Sequence, residues 1–181
     1  MRQPFFITGL PRSRTTWLAN LFTTGTQFCH HDLLARVKDM NEFSKALVGG
    51  VGDSDTGLIP LFAEVSRMFP LSRWLLVLRD PQDCLNAIQA ATAGTEWEDA
   101  AREAVDRFDM AAHHEMVCRM IADARVQVIQ FEELDDYGKM LAAWRWLCPN
   151  KDFSGERFDL LKTMRIQPVF QKIARPTEAM A

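Results

Sequence analysis

The sequence has little of what marks several specialised classes of protein. Only four cysteines occur in 181 residues, with no Cys-x-x-Cys pair, so neither a disulfide framework nor a four-ligand zinc site is expected. The longest apolar run in the core-like part, Trp74–Leu78, has five residues, whereas a membrane span needs about 20. The 21 basic residues do not exceed the 24 acidic ones, which argues against general nucleic-acid binding. We expect free buried cysteines, no metal, no membrane span and no nucleic-acid partner.

What the sequence does contain is typical of a globular protein. Apolar residues make up 48% and charged residues 25%, close to the usual averages. The length is that of one domain, so we predict a single domain over residues 1–181. The start of the chain has one early arginine and then strand-like residues, without the apolar stretch and small-residue site of a signal peptide. We therefore expect the protein in the cytoplasm.

Strand-like and helix-like segments alternate along the chain. The three strongest strand candidates are Phe5–Leu10, Trp74–Leu78 and Val126–Phe131. The second is apolar on both faces, as a central strand of a parallel sheet would be. The alternation predicts an α/β fold, a three-layer sandwich around a parallel sheet.

The remaining elements are placed by periodicity and by glycine content. Gln27–Cys29 could be a short strand, and Gly49–Gly57, with four glycines, is predicted to be a loop. A single long helix is predicted from Thr95, with Glu98 completing a capping box. Other helices are predicted over residues 33–48, 59–69, 136–147 and 155–164, and one from about Pro81.

The segment Gly9–Thr16, after the first strand, has the length and position of a phosphate loop. Such a loop gathers backbone N–H groups around an anion where a helix begins. The Walker signature requires a lysine directly before its final serine or threonine. Arg14 stands at that place here, and the cation expected to contact the anion is Arg12, two residues earlier. This arrangement predicts a phosphate-type anion other than a triphosphate; the alternative is an ordinary strand-to-helix turn.

The segment Leu78–Asp83, after the central strand, carries a second candidate. Arg79 directly follows a buried apolar strand, where an unpaired charge is costly. It therefore either forms a structural ion pair with Asp80 or Asp83, or contacts the anion of a ligand.

Together these segments resemble the PAPS-dependent sulfotransferase family, and in particular its small bacterial or phage-like domains. The family's 5′-phosphosulfate loop reads Pro-Lys/Arg-Ser-Gly-Thr-Thr-Trp-Leu, and residues 11–18 match seven of its eight positions. The family's 3′-phosphate segment runs from a strand into Arg-Asp/Asn-Pro-x-Asp, as residues 79–83 do. Residues 128–134 are similar to its late strand ending in Tyr-Glu-Asp-Leu. The resemblance covers roughly residues 4–150 and implies a fold like that of the phosphate-loop nucleoside triphosphate hydrolases.

The resemblance implies a role for each matching residue. The loop would hold the 5′-phosphosulfate of PAPS through its backbone amides and three hydroxyls, and PAP would be the product. Arg12 would stabilise the charge that develops as the S–O bond breaks, Trp17 could stack on the adenine or lie in the core, and Arg79 would bind the 3′-phosphate. The implied nucleotide-binding residues are Pro11, Arg12, Ser13, Arg14, Thr15, Thr16, Trp17, Arg79 and, at the serine position, Ala87.

Two positions depart from the family pattern. Arg14 replaces the loop glycine, which removes backbone freedom but adds a cation that could reach the phosphates. Ala87 stands where the family usually has a serine for the 3′-phosphate, so another donor could take that role. The tail offers candidates, although a solvated basic tail is the alternative: Lys162, Arg165, Lys172 and Arg175.

Sulfuryl transfer also needs a base to accept a proton from the acceptor. The cluster Cys29–Asp32 follows the first helix, at about the distance where the tyrosylprotein branch of the family has its glutamate base. Asp32 is the closer positional match, while His31 titrates nearer neutrality. The structural alternatives are a helix N-cap for Asp32 and core packing for His30.

Three functions remain in competition. The first is transfer of a sulfuryl group from PAPS to a hydroxyl or amine of a small-molecule, carbohydrate or peptide acceptor. The second is a phosphate-loop kinase of a small metabolite, which would need the missing lysine and an acidic magnesium ligand at a strand end. The third is a nucleotide-binding module without catalysis. The sequence leaves both the acceptor and the oligomeric state open.

Overall fold

The computed structural model describes residues 3–25 and 27–164, and within them five strands form one parallel sheet. The strand order is β2-β3-β1-β4-β5, and every neighbouring pair is parallel. The strand bounds are β1 Phe5–Gly9, β2 Cys29–His31, β3 Gly52–Ser54, β4 Arg73–Leu78 and β5 Val126–Gln130. Since β1 and β4 lie side by side, the two strand ends singled out in the sequence meet at one edge of the sheet.

Helices connect the strands and cover both faces of the sheet. Their bounds are α1 Thr15–Leu21, α2 Met40–Ala46, α3 Phe62–Met68, α4 Pro81–Thr92, α5 Glu98–Asp106, α6 Met110–Ile121, α7 Tyr137–Leu147 and α8 Gly155–Thr163. Short 3₁₀ turns lie at 34–36, 56–58 and 131–135. The predicted helices from Pro81, over 136–147 and over 155–164 thus agree with the structure to within a few residues.

Two apolar cores lie on opposite faces of the sheet, as a three-layer sandwich requires. Phe5 and Ile7 of β1 point into the core formed with α1, α7 and α8, while Phe6 points into the core formed with α2, α3 and α6. β4 alternates in the same way, with Leu75 on one face and Trp74 on the other. The predicted fold class is confirmed.

One strand of the sheet lies where a loop was predicted. Gly52–Ser54 is β3, which pairs with both β1 and β2. Its sequence lacks an apolar pattern. Glycine is required at position 52, because a Cβ atom there would clash with the ring of Phe5. Asp53 and Ser54 are buried polar residues. Tertiary packing outweighs the low strand propensity of this segment.

The helix predicted to start at Thr95 is two helices in the structure. The break at residues 107–109 ends with Asp109, whose carboxylate accepts a hydrogen bond of 2.9 Å from the amide of Ala112 and caps α6. The Glu98 carboxylate accepts from the amide of Gly94, so the predicted capping box does not form. The helix predicted over 33–48 is likewise shorter, since a 3₁₀ turn precedes α2.

Two predicted absences concern metal and membrane. No group of three or more potential ligands that could hold a metal ion is found among the described residues. Over the same ranges, no helix combines the length and the apolar character needed to cross a bilayer.

Candidate functional site

The turn from β1 into α1 is held tightly against the neighbouring strand. A Cβ atom at Gly9 would lie 2.9 Å from the carbonyl oxygen of Val77 in β4 and 3.1 Å from the Cβ of Ser13. The amide of Ser13 closes the turn by donating to the carbonyl of Leu10 at 3.1 Å. Glycine is therefore required at position 9 by the close approach of β4.

Two arginines give this loop its backbone shape. Arg12 has φ 70° and Arg14 has φ 61°, both in the left-handed region that costs a non-glycine residue roughly 1–2 kcal/mol. Arg14 thus adopts the kind of conformation that favours glycine, the residue that the family has at this position. The substitution predicted to remove backbone freedom is accommodated without moving the chain out of the left-handed region.

The loop presents a group of backbone donors that the protein itself does not use. Within the described part of the chain, the amides of Arg12 and of residues 14–17 have no hydrogen-bond acceptor. The guanidinium of Arg12 likewise has no hydrogen bond or ion pair with any described residue. Unpaired N–H groups beside a free cation form a site suited to an oxyanion.

Arg79 connects the two strand ends. Its guanidinium donates a hydrogen bond of 2.6 Å to the carbonyl oxygen of Arg12 and lies over the ring of Phe131 at 4.2 Å. The ion pair considered with Asp80 or Asp83 does not form, because Asp80 caps α4 by accepting from the amides of Gln82 and Asp83. The other N–H groups of Arg79 have no hydrogen-bond acceptor in the described part of the chain.

A cavity of about 730 Å³ lies in front of the loop. Ten of the eleven sequence-predicted site residues line it: Pro11, Arg12, Arg14, Thr15, Thr16, Trp17, His31, Asp32, Arg79 and Ala87. The strand ends of β1, β2 and β4 thereby bring together residues separated by up to 76 positions in the sequence.

Ser13 is the one predicted residue that does not line the cavity. It is fully buried, and its Oγ atom lies 3.8 Å from the Sγ atom of Cys84, beneath the loop. Its amide is used within the turn. Ser13 therefore stabilises the loop from below, and the expected contact of its hydroxyl with a phosphate is not what the structure shows.

Arg14 and Trp17 are engaged with each other and with the fold. The Arg14 guanidinium lies 4.5 Å from the centre of the Trp17 ring and forms an ion pair of 2.8 Å with Asp135. Trp17 is only 3% exposed, and its Nε1 donates to the carbonyl of Leu161 in α8. These contacts favour a core role for Trp17 over an adenine contact, and they tie Arg14 to Asp135 rather than leaving its charge free.

His31 and Asp32, at the end of β2, form a chain of polar contacts with the loop. The Nδ1 atom of His31 lies 3.2 Å from Oδ2 of Asp32, and its Nε2 lies 2.9 Å from Oγ1 of Thr16 and 3.5 Å from Oγ1 of Thr15. Asp32 has φ 52°, a conformation that aspartate tolerates better than most residues. The Asp32 side chain makes no helix N-cap; the structure places it on His31.

The charge states of this pair follow from their partial burial. Burial lowers the pKa of His31 below its usual value, an effect that Asp32 and Asp55 oppose and Arg36 reinforces. Burial also raises the pKa of Asp32, against the attraction of His31. A neutral imidazole next to a carboxylate is the form that accepts a proton.

The described residues near position 87 and in the tail do not replace the hydroxyl of the family's serine. Ala87 lines the cavity without a hydroxyl, and the hydroxyl of Thr92, which also lines it, donates to the backbone of α4 at Ile88. Lys162 does not line the cavity, and its Nζ atom donates to the carbonyl of Asp135. The other tail candidates, Arg165, Lys172 and Arg175, lie outside the described residues.

Six residues line the cavity beyond the predicted nucleotide-binding and catalytic residues: Thr56, which lies in the predicted glycine-rich loop Gly49–Gly57, and Ile88, Ala91, Thr92, Phe131 and Met164. Phe131 directly follows β5, so the rule that ligands bind beyond strand ends could have identified it. The residues of α4 carry no such signal, because small apolar side chains on a helix usually indicate core.

Comparison with known proteins gives matches only at the level of structure. No protein-family model matches the chain, and no curated protein matches it. The mouse sulfotransferase SULT7A1, solved in complex with PAP, superposes with a TM-score of 0.58 at 16% identity, covering 88% of this chain and 63% of the mouse chain. The chain has the sulfotransferase fold.

For two further solved sulfotransferases, the matched region covers a larger share of their own length. The sulfotransferase from Alicyclobacillus acidocaldarius superposes with a TM-score of 0.57 at 14% identity, over 89% of this chain and 90% of that one. The sulfotransferase domain from the curacin biosynthetic pathway gives 0.55 at 15% identity, over 87% and 77%. The chain thus spans 63% of the mouse sulfotransferase but most of the Alicyclobacillus one.

Proposed function

We propose that this chain is a PAPS-dependent sulfotransferase, which moves a sulfuryl group to a hydroxyl or amine acceptor and releases PAP. The observation that carries the proposal is the group of loop amides that have no acceptor among the described residues, with the guanidinium of Arg12, likewise without a described partner, beside them. The 63–90% of each solved sulfotransferase that the chain covers supports it, as does the binding of PAP by the mouse protein.

The loop residues would bind the donor and stabilise its leaving group. Amides of residues 14–17 would hold the 5′-phosphosulfate, and the N–H groups that Arg79 does not use on the loop would bind the 3′-phosphate. In the transfer, the acceptor atom forms a bond to sulfur while the bond from sulfur to the bridging oxygen breaks, and the electron pair stays on the phosphate of PAP. Arg12 would stabilise that developing charge.

His31 is the base in this proposal, and Asp32 orients it. The Nδ1 atom of His31 is occupied by the Asp32 carboxylate, while Nε2 is directed towards the loop hydroxyls. The acceptor proton would pass to Nε2, and Asp32 would stabilise the imidazolium that forms, as a carboxylate does in a catalytic triad. This arrangement favours His31 over Asp32, which the sequence left undecided.

The acceptor is proposed as a small molecule, a carbohydrate or a peptide, and it would bind in the cavity near His31 and Asp32. The four cysteines are free thiols, which supports a cytoplasmic location because that compartment keeps thiols reduced.

The kinase alternative has less support. Two acidic residues follow strand ends near the loop. Asp32, after β2, lies 3.2 Å from Nδ1 of His31, and Asp55, after β3, accepts with its two carboxylate oxygens from the amides of Gly57 and Leu34. Asp55 is 4% exposed and does not line the cavity. A non-catalytic module keeps some support from Ala87, which offers no hydroxyl to a 3′-phosphate.

Calorimetry with PAP, ADP and ATP tests the donor, and transfer of radiolabelled sulfate from PAPS to mixed acceptors tests the reaction. We expect PAP to bind at least tenfold more tightly than ADP, since only PAP carries the 3′-phosphate. Tight ATP binding with no PAP binding would support the kinase. If PAP binds but the protein neither transfers sulfate nor slowly hydrolyses PAPS, the result would support a nucleotide-binding module without catalysis.

A further inference from the structure

Thr16 belongs to both halves of the site. It lies in the first turn of α1, and its amide is one of the loop donors without an acceptor among the described residues. Its hydroxyl lies 2.9 Å from Nε2 of His31, the atom proposed to accept the proton. One half-buried side chain therefore links the anion site to the base.

The direction of this hydrogen bond follows from the groups on the other side of the ring. A carboxylate only accepts, so the proton of a neutral His31 lies on Nδ1, facing Asp32. Nε2 then carries a lone pair and accepts, and Thr16 donates. A threonine hydroxyl has one proton to give, so it cannot donate to His31 and to a bound anion at once.

We propose that Thr16 couples donor binding to the availability of the base: it donates its hydroxyl proton to His31 Nε2 until the sulfonucleotide binds, and to a donor oxygen afterwards. This inference rests on the proposed function. An anionic phosphate oxygen accepts a stronger hydrogen bond than a neutral ring nitrogen, so the Thr16 hydroxyl turns to the sulfonucleotide when it is bound. This exchange frees the Nε2 lone pair only when a sulfuryl group is in place. The lone pair can then take the proton of the hydroxyl or amine that is to be sulfated. Thr16 is thus a positioning residue.

The charged groups around His31 make the contribution of the hydroxyl separable. Asp32, Asp55 and Arg36 act on the ring electrostatically, and Arg12 and Arg14 line the same cavity. Replacing Thr16 changes none of these charges. A difference between hydroxyl-bearing and hydroxyl-free variants therefore reports the hydrogen bond itself.

The experiment is an NMR titration of the His31 ring in the wild type, Thr16→Val and Thr16→Ser, with and without PAP. Four histidines are present, and His31→Gln assigns the signal. Without PAP, Thr16→Val removes the hydroxyl that stabilises the neutral form of His31 by donating to Nε2. The pKa of His31 should therefore rise by about 0.5 to 1 in this variant. Thr16→Ser should match the wild type. PAP should raise the pKa in every variant through its charge, but by about 0.5 to 1 less in Thr16→Val.

Two outcomes would overturn the coupling specifically. One is an unchanged pKa of His31 in Thr16→Val without PAP, which would mean that the hydroxyl does not donate to Nε2. The other is an equal PAP-induced rise in all three proteins. If calorimetry shows no PAP binding to the wild type, the proposed function fails, and so does the proposed exchange of the Thr16 hydrogen bond to the nucleotide. The hydrogen bond from Thr16 to His31 is judged separately, by the comparison without PAP. Thr16→Ala replaces the valine variant if that variant does not fold.

Discussion

The guanidinium of Arg79 donates a hydrogen bond of 2.6 Å to the carbonyl oxygen of Arg12. The two residues are 67 positions apart in sequence and follow adjacent strands, β4 and β1. The bond fastens the loop, several of whose amides have no acceptor within residues 3–25 and 27–164, to β4, while the guanidinium of Arg79 lies over the ring of Phe131. Arg79 thus supports the loop, and under the proposed function its other N–H groups would bind the 3′-phosphate.

Replacing Arg79 with alanine should weaken PAP binding by about 10- to 100-fold, since charge-assisted hydrogen bonds and the loop support are lost together. Arg73→Ala is the matched control: Arg73 begins the same strand, donates to the carbonyl of Trp146 at 2.7 Å and lies over the Trp146 ring. Its loss should leave PAP affinity within about threefold. Calorimetry measures both, and equal effects of the two variants would remove Arg79 from the site.

Arg12→Ala should lower turnover far more than donor affinity, because its guanidinium is proposed to act on charge that develops during transfer. We expect kcat to fall by about 100- to 1000-fold and PAP affinity to fall by less than about tenfold. Arg12→Lys should recover part of the turnover. The rates are measured as sulfate transfer or as slow PAPS hydrolysis. Parallel losses in rate and affinity would instead make Arg12 a binding residue.

The left-handed backbone at Arg14 can be tested with two substitutions that both remove its side-chain contacts. Arg14→Gly relieves the φ of 61°, whereas Arg14→Ala keeps the strain. The alanine variant should be the less stable by about 1 kcal/mol, after allowing for the greater flexibility of glycine in the unfolded chain. Urea denaturation measures the difference. Equal stabilities would show that the strained conformation relaxes once the ion pair with Asp135 is gone.

Asp53 should make the stability of the protein depend on pH. It is fully buried in β3, and burial raises its pKa to about 8. Because the unfolded chain loses this proton near the ordinary value of 3.8, the folded state binds one more proton between these two pH values. Stability should therefore fall as pH rises through this range, by up to about 1.4 kcal/mol per pH unit.

The variant Asp53→Asn separates this effect from other titrations. Asparagine keeps an oxygen that can accept from the amide of Leu33, as Oδ1 of Asp53 does, but it does not ionise. We expect the variant to gain stability over the wild type as pH rises from about 4 to 8, and the gain to level off above that. Denaturation midpoints at several pH values measure it. A difference that does not change with pH would contradict the raised pKa.

Most of the fold was predictable because its main elements carry local signals. The apolar strands β1, β4 and β5 and the helix starting at Pro81 are specified by runs and punctuation that act within a few residues. The strand Gly52–Ser54 was not predicted, since it has no apolar pattern and its glycine is required by the Phe5 ring on the neighbouring strand β1. The break near Asp109 was not predicted, because the apolar face of the sequence continues across it although the helical backbone is interrupted there.

The candidate site divides in the same way. The sequence alone determined the residue types, their spacing and the strand ends that carry them, because a loop that binds an anion needs a particular backbone length and a nearby cation. Only the tertiary structure decided that Ser13 lies beneath the loop, that Arg14 pairs with Asp135, and that His31 lies between Asp32 and Thr16. The physical reason is that the direction of a side chain depends on neighbours from distant strands, which no local pattern specifies.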